Sequence, residues 1–416
     1  MTTRGKVAIT LLLLAMVGFG CWKWWGRLGP APGLASAPNP SSPLVSEAPP
    51  AAPKPAIPVE AASAASLPAA PSEPVEIGVA YGTEKRRWLE WAVEEFGKMP
   101  TGRTIKINLI PLGSIEAAQA IVGGDTRIHV WSPASSLYTA NFVPEFELKH
   151  NRKPFEKEEQ LALTPMVFVT WKEREELFEK KYTNLTFTTL GRAIKEKGGW
   201  NGIAQKPEWG FFKFAHTHPN QSISGLTSLL LMAYDYHDKE RGLTLTDILD
   251  ASFQTWLVDL ESSVVDLSNS TGNLMRDMVL KGPSTYDAVL VYESVAIDYL
   301  KNAEGRWGQL RVTYPAKNLW SDHPYYILNT SWSEKKHRQA AELFLRMLMS
   351  ETCQKAALTH GFRPGNPAVP ILFPESPFVM YQKYGLRAEL PSVCELPKAE
   401  VIHNLLVGWN NNVRKK

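Results

Sequence analysis

From residue 75 onwards, hydrophobic positions fall into two alternating patterns. Val75, Ile77, Val79 and Tyr81 repeat every second residue, as a strand does; Trp88, Leu89, Trp91, Ala92 and Phe96 then recur at helical spacing over 84–96. Thr83, between them, fits the N-cap of that helix. Residues 105–110 repeat the strand pattern, 114–121 the helical one, and 128–131 the strand again. Pro133, inside the run from Ser132 to Ser136, suits the first turn of a further helix. A β-α-β-α-β succession implies a three-layer α/β unit with a largely parallel sheet, in which ligands sit beyond the carboxyl ends of the strands.

The pattern continues through most of the chain. Residues 161–171 read as a long buried strand broken by Pro165. A charged helix follows over 172–181, and Thr189 and Leu190 open another. Phe212 and Phe214 mark a short strand. It turns through His216, Thr217, His218, Pro219 and Asn220, passes Ser222, Ser224 and Gly225, and enters an apolar helical run ending at Tyr236. Amphipathic helices are expected over 245–261, 273–280 and 337–349. Strands are expected over 286–292, 310–314 and 325–328; the first of them runs into Glu293, Ser294 and a helix. No internal repeat is evident.

The first 74 residues follow neither pattern. Arg4 and Lys6 precede an uncharged run over 7–22, and Lys23, Trp24, Trp25 and Arg27 follow it. That is a basic segment with an apolar core and interfacial tryptophans, read as a signal anchor over 1–27 that stays uncleaved. Ala35 and Ala37 form a cleavage-type pattern too far past the run, and Cys21 after Gly20 leaves lipidation open. Residues 28–74 hold 13 of the 31 prolines, among Ala and Ser, and read as a disordered, extended linker. The expected location is the inner membrane, single-pass, with the globular body in the periplasm.

Composition narrows the classes. The chain has 416 residues, 44% apolar and 21% charged, which is ample for a sizeable core. A net charge of +3 gives no nucleic-acid footprint. Cys353 and Cys394 lie in the exported part, where a disulfide is permitted; closing a loop of about 40 residues would contribute about 4 kcal/mol in the chain-entropy model. Spacing alone leaves their pairing open. His216 and His218 lack the Cys, Asp or Glu company of a metal site. Ser222 and Ser224 lack a Gly-x-Ser-x-Gly elbow and a group to orient a histidine base, so no catalytic residue, metal or cofactor is assigned.

What the junctions offer is binding chemistry. Strand-to-helix turns aim free backbone N–H groups and hydroxyls at a guest. The pieces Tyr81-Gly-Thr-Glu-Lys85, Val130-Trp-Ser-Pro-Ala-Ser-Ser136, the 216–226 turn, Val291-Tyr-Glu-Ser294, Trp320-Ser-Asp-His-Pro324 and Gly361-Phe-Arg-Pro364 occur in one order over about 75–370. Together they resemble bacterial extracellular solute-binding proteins, the periplasmic receptors of ABC importers, and above all the type II receptors of the molybdate and sulfate kind. The resemblance implies two α/β lobes, each a three-layer sandwich, joined by two crossing segments near 164–171 and 321–326. Lobe 1 would comprise 75–171 and 320–416, and lobe 2 would comprise 172–319. It further implies a small polar solute, an oxyanion among the candidates, bound between the lobes by Tyr81, Gly82, Thr83, Ser132, Ser135, Ser136, Ser222, Ser224, Gly225 and Glu293. In the cleft, Glu293 would oppose a fully ionised oxyanion unless the ligand carries a proton or amine to donate; the alternative is that it pairs with a neighbouring Lys or Arg outside the cleft. The expected partners are that solute, an ABC permease or other envelope proteins, and the membrane. An envelope scaffold using the same fold without a ligand is the alternative.

Overall fold

The computed structural model describes residues 71, 73–262 and 264–413. The anchor expected over 1–27 and nearly all of the 28–74 linker lie outside them. Among the described residues, no helix is long and apolar enough to cross a membrane.

The strands run in chain order β1 (Val75–Tyr81), β2 (Ile105–Pro111), β3 (Val130–Ser132), β4 (Phe155–Gln160), β5 (Ala162–Leu163), β6 (Met166–Trp171), β7 (Phe214–Thr217), β8 (Val264–Ser268), β9 (Ala288–Tyr292), β10 (Leu310–Thr313), β11 (Pro324–Leu328) and β12 (Arg363–Pro364). They form two five-stranded sheets, ordered β2-β1-β3-β11-β4 and β10-β6-β9-β7-β8, and a small β12-β5 ribbon. In the first sheet β1 is parallel to β2 and β3, while β11 runs antiparallel to β3 and β4. In the second, β7 is parallel to β8 and β9, while β6 runs antiparallel to β9 and β10. Each lobe is thus an α/β sandwich with one half of its sheet parallel.

Helices follow the apolar stripes. Arg86–Lys98 buries Trp88, Leu89, Ala92 and Phe96; with Ala340, Ala341, Phe344 and Leu348 of Lys335–Leu348 they pack into the core of the first sheet. Burying each large apolar side chain contributes about 1.5–3 kcal/mol. Ile223–Tyr236 is buried from Ile223 to Tyr234 and lies in the core of the second sheet.

Several expectations need correction. Thr83 does not cap the helix after β1: a short turn, Thr83–Lys85, comes first, and the helix starts at Arg86 without a side-chain cap. The helix expected over 245–261 is two, Leu245–Ile248 and Ala251–Glu261, because the Asp250 carboxylate accepts the Phe253 N–H at 2.7 Å and starts a second helix. β4 carried no apolar pattern; it is an edge strand of alternately exposed, mostly charged residues, the kind of sequence that edges tolerate.

The chain passes between the sheets at the expected crossings. Thr164 and Ser321 pair there, each N–H bonded to the other's carbonyl at 3.0 and 2.9 Å. The strand after Pro165, β6, lies in the second sheet, although 75–171 was assigned to lobe 1. The tail assigned wholly to lobe 1 also divides. Glu351–Thr359 stays with the first sheet, but Phe378, Tyr384, Leu386, Val401, Ile402, Leu405 and Trp409 sit in the core of the second. The reason is packing: Ala399–Asn412 buries Val401, Ile402, Leu405 and Trp409 on one face, and the Trp409 indole donates to Glu261 at 2.7 Å. Residues 364–377 therefore make a third passage between the lobes. Cys353 and Cys394 are both free and buried, one in each core.

Candidate functional site

Parallel strands of both sheets, β1 and β2 in the first and β7, β8 and β9 in the second, direct their carboxyl ends to one place. A cavity of about 670 Å³ is lined by Thr83, Glu84, Arg86 and Arg87 after β1, and by Gly113, Glu116 and Gln119 after β2. From the other side come Asn220 and Gln221 after β7, Ser270, Asn273 and Arg276 after β8, and Val295, Asp298 and Tyr299 after β9. Its size falls within the usual range for small-molecule sites, about 300–1,000 Å³. The two walls belong to different sheets, and an ion pair bridges them: Arg87 Nη1 lies 3.5 Å from Asp298 Oδ1. Burial holds the Asp298 carboxyl above its ordinary range, with Arg87 opposing.

Two helix starts face the cavity. Gly113 precedes Ser114–Gly123, and the Glu116 carboxylate accepts the Gly113 N–H at 3.3 Å. Ser270 caps Thr271–Lys281 through its hydroxyl, which accepts the Asn273 N–H at 3.3 Å. Amide side chains supply both donors and acceptors around the wall.

Beneath this wall lies a closed polar cluster. Lys85 is fully buried, and its three ammonium protons have three acceptors: Glu84 Oε1 at 2.9 Å, the Pro133 carbonyl at 3.0 Å and His323 Nδ1 at 3.2 Å. Burial alone would raise the Glu84 carboxyl, but the Lys85 charge beside it overrides this and holds it at about 2. Burial, reinforced by Lys85, pulls His323 down to about 4, so its ring is neutral. Burial also pulls Lys85 below its usual value.

The sequence-assigned residues divide accordingly. Thr83 lines the cavity. Tyr81 and Ser132 are buried strand ends, and the Gly82 N–H donates to the Ser132 carbonyl at 3.1 Å. The Ser135 hydroxyl caps a short turn by accepting the Leu137 N–H at 3.2 Å, and the Ser136 N–H donates to Asp322 at 2.7 Å. Ser224 is fully buried; its hydroxyl meets Thr217 Oγ1 at 2.6 Å and Ser222 Oγ at 2.8 Å. Gly225 is a close-approach position, where a Cβ would come 2.3 Å from the Thr217 carbonyl. Thus Ser224 and Ser222 bond each other rather than facing the cavity, and Asn220 and Gln221, just before them, supply the wall.

Glu293 is committed elsewhere. It is fully buried, and Arg363 grips both oxygens, Nε to Oε1 at 2.8 Å and Nη2 to Oε2 at 2.7 Å, while the Tyr314 hydroxyl also donates to Oε2. His216 does have an orienting partner, Glu261, at 2.8 Å, and its other ring nitrogen faces the Thr217 carbonyl at 2.8 Å. Both nitrogens are thus engaged away from the serines. Burial would lower this ring's affinity for a proton, but Glu261 overcomes it and raises His216 above its ordinary value. Among the described residues, no group of three or more His, Cys, Asp or Glu side chains could hold a metal ion.

Of the wall residues only Thr83 was expected from sequence; among those missed are Glu84, Arg86, Arg87, Asn273, Arg276 and Asp298. Each lies within about two helical turns of a strand's end, where the junction is legible in sequence but the direction of an amide, carboxylate or guanidinium side chain is not.

Comparison with known proteins agrees with the two-lobe fold. Residues 77–363 match a family profile described as bacterial extracellular solute-binding protein. No curated protein matches the chain. Among solved structures, the chain is similar to the sulfate-binding protein SubI from Mycobacterium tuberculosis H37Rv, with 16% identity, TM-score 0.53, and coverage of 82% of this chain and 98% of that one. It is also similar to a periplasmic thiamin binding protein, at 12% identity and TM-score 0.56, covering 83% and 99%. A third is maltose-bound MalE3 from T. maritima, at 14% identity and TM-score 0.54, covering 82% and 95%. At such identities the likeness extends to the fold: two lobes with a cleft between them.

Proposed function

The chain belongs to the bacterial extracellular solute-binding protein family, and from that premise we propose that it captures a small polar solute in the interlobe cleft and presents it to an ABC permease. The observation that carries this reading is the origin of the cavity wall: loops after β1, β2, β7, β8 and β9, drawn from both sheets, enclose about 670 Å³. Loops beyond the carboxyl ends of parallel strands are where such folds hold ligands. Binding needs no covalent chemistry; hydrogen bonds from amides, helix starts and arginines suffice. The N-terminal anchor and the proline-rich linker hold the body on the periplasmic side of the inner membrane, within reach of a permease. Support for that part comes from the apolar run over 7–22 and the 13 prolines over 28–74.

A thermal-shift screen of sugars, amino acids, organic acids, oxyanions and polyamines on the full chain tests the reading. A ligand that binds only the native state stabilises it by about 2.7 kcal/mol at one hundred times its Kd. A solute should raise Tm in the wild type and lose that effect in Arg276→Ala, whose side chain lines the cleft. A solute that binds equally well to Arg276→Ala and Asn273→Ala binds elsewhere, and the cleft assignment falls.

A further inference from the structure

Glu84 lies in the turn that follows β1 and lines the cavity. Its carboxylate lies over the bare Cα of Gly82: a Cβ there would come within 2.3 and 2.6 Å of its two oxygens. The glycine therefore makes room for a side chain of the protein itself. Lys85 holds that carboxylate at 2.9 Å and spends its remaining two protons on the Pro133 carbonyl and His323. It has no proton left for an incoming anion. Glu84 nevertheless lines the cavity, so the cleft floor offers a carboxylate acceptor whose charge is balanced by the Lys85 ammonium beneath it. Positive side chains reach the same cavity from opposite lobes, Arg86 after β1 and Arg276 after β8. Guanidinium groups grip carboxylates in a bidentate fork.

On the reading of the cleft as a solute site, we propose that Glu84 sets its specificity. The cleft takes a small organic acid that also bears a hydroxyl or ammonium group. That group donates to Glu84, and the acid's carboxylate lies towards Arg86 and Arg276. Fully ionised tetrahedral oxyanions are turned away, because they bring an acceptor to an acceptor and find the nearby ammonium already saturated.

Calorimetric titration of the full chain decides this, with one panel of serine, glutamate, lactate and malate and a second of sulfate and molybdate. Wild type should bind a member of the first panel and neither oxyanion. Glu84→Gln should weaken the organic acid at least tenfold and bring sulfate or molybdate binding into the measurable range. Because Glu84→Gln leaves Lys85 buried beside an amide, the double variant Glu84→Gln/Lys85→Met removes the pair as a unit, and it should lose the organic acid in the same way. Wild type that takes sulfate or molybdate, or an organic acid whose affinity neither variant changes, overturns the role of Glu84 and leaves the cleft standing. Wild type that takes neither panel overturns the solute class assigned here. The cleft itself falls only on the separate result with Arg276→Ala and Asn273→Ala.

Discussion

Glu293→Gln separates a ligand residue from a structural rivet. Glu293 is the first residue of the helix Glu293–Ala303, and its carboxylate is gripped at both oxygens by Arg363 while Tyr314 donates to it. Arg363 in turn donates from Nη2 to the Arg387 carbonyl at 2.7 Å and from Nη1 to that of Ala388, so the pair fastens the third passage to the second lobe. The two side chains are 0% and 7% exposed, so little water is available to replace a lost partner. Removing one partner of a buried pair costs about 3–5 kcal/mol, because the other charge stays buried and unpaired. That is a large share of the roughly 5–15 kcal/mol that holds a typical domain together. Urea melts should show the loss as a lower midpoint, with solute affinity measured under native conditions remaining within about twofold. Replacing both charges, in Glu293→Gln/Arg363→Met, should recover a good part of the loss, since apolar replacements of buried pairs are often neutral. A stability loss under about 1 kcal/mol together with a tenfold fall in solute affinity would refute the structural role and return Glu293 to the ligand.

Three further outcomes follow from the same geometry. Ser224→Ala should cost about 1–2 kcal/mol of stability through its two lost hydroxyl contacts and leave affinity nearly intact; an affinity loss at unchanged stability sinks this assignment. Trp409→Ala should cost about 3–5 kcal/mol or more, since it opens a cavity and strands one oxygen of buried Glu261; a urea midpoint close to wild type would show that Ala399–Asn412 is dispensable to the second lobe. His323 has a folded pKa of about 4 against an ordinary 6.5, so the unfolded chain takes up the proton first, and stability falls as pH drops from about 6.5 to 4. The share of that fall due to His323 is of order 3 kcal/mol, and His323→Gln should flatten the stability–pH curve in this window; an unchanged slope contradicts a neutral buried ring.

Much of the fold was legible because it rests on apolar periodicity. β1, β2 and β3 with the helices behind them declared themselves through Val79, Trp88 and Ile107, whose burial the pattern demanded. The pattern was silent where burial is one-sided or tertiary. β4 reads Phe-Glu-Lys-Glu-Glu-Gln and pairs only because β11 lies beside it. The tail is the sharper case: nothing local to Val401, Ile402, Leu405 and Trp409 says which lobe will receive them. Their destination is set by a seam between helices some 150 residues earlier in the chain, where Glu261 waits for the Trp409 indole.

At the site, sequence located the junctions but not the direction of their side chains. A serine at a strand-to-helix turn can face a guest or a neighbouring hydroxyl, and both choices satisfy the same hydrogen-bonding need. Ser224 has Thr217 seven residues before it on the end of β7 and Ser222 two before it, so its needs are met inside the protein. Asn220 and Gln221 stand at the wall, where their longer amides reach the cleft. The charged residues follow the same logic in reverse. Glu293 and Glu84 both follow strands and both look like ligand groups, yet each has a cation of its own, Arg363 or Lys85. What separates them is position rather than charge. Arg363 reaches Glu293 beside the Pro165 crossing and grips both of its oxygens, whereas Glu84 shares one oxygen with Lys85 and still borders the cavity. A buried carboxylate with both oxygens held is closed to a solute, whereas one that borders the cavity with a single oxygen held can still accept a hydrogen bond from a guest.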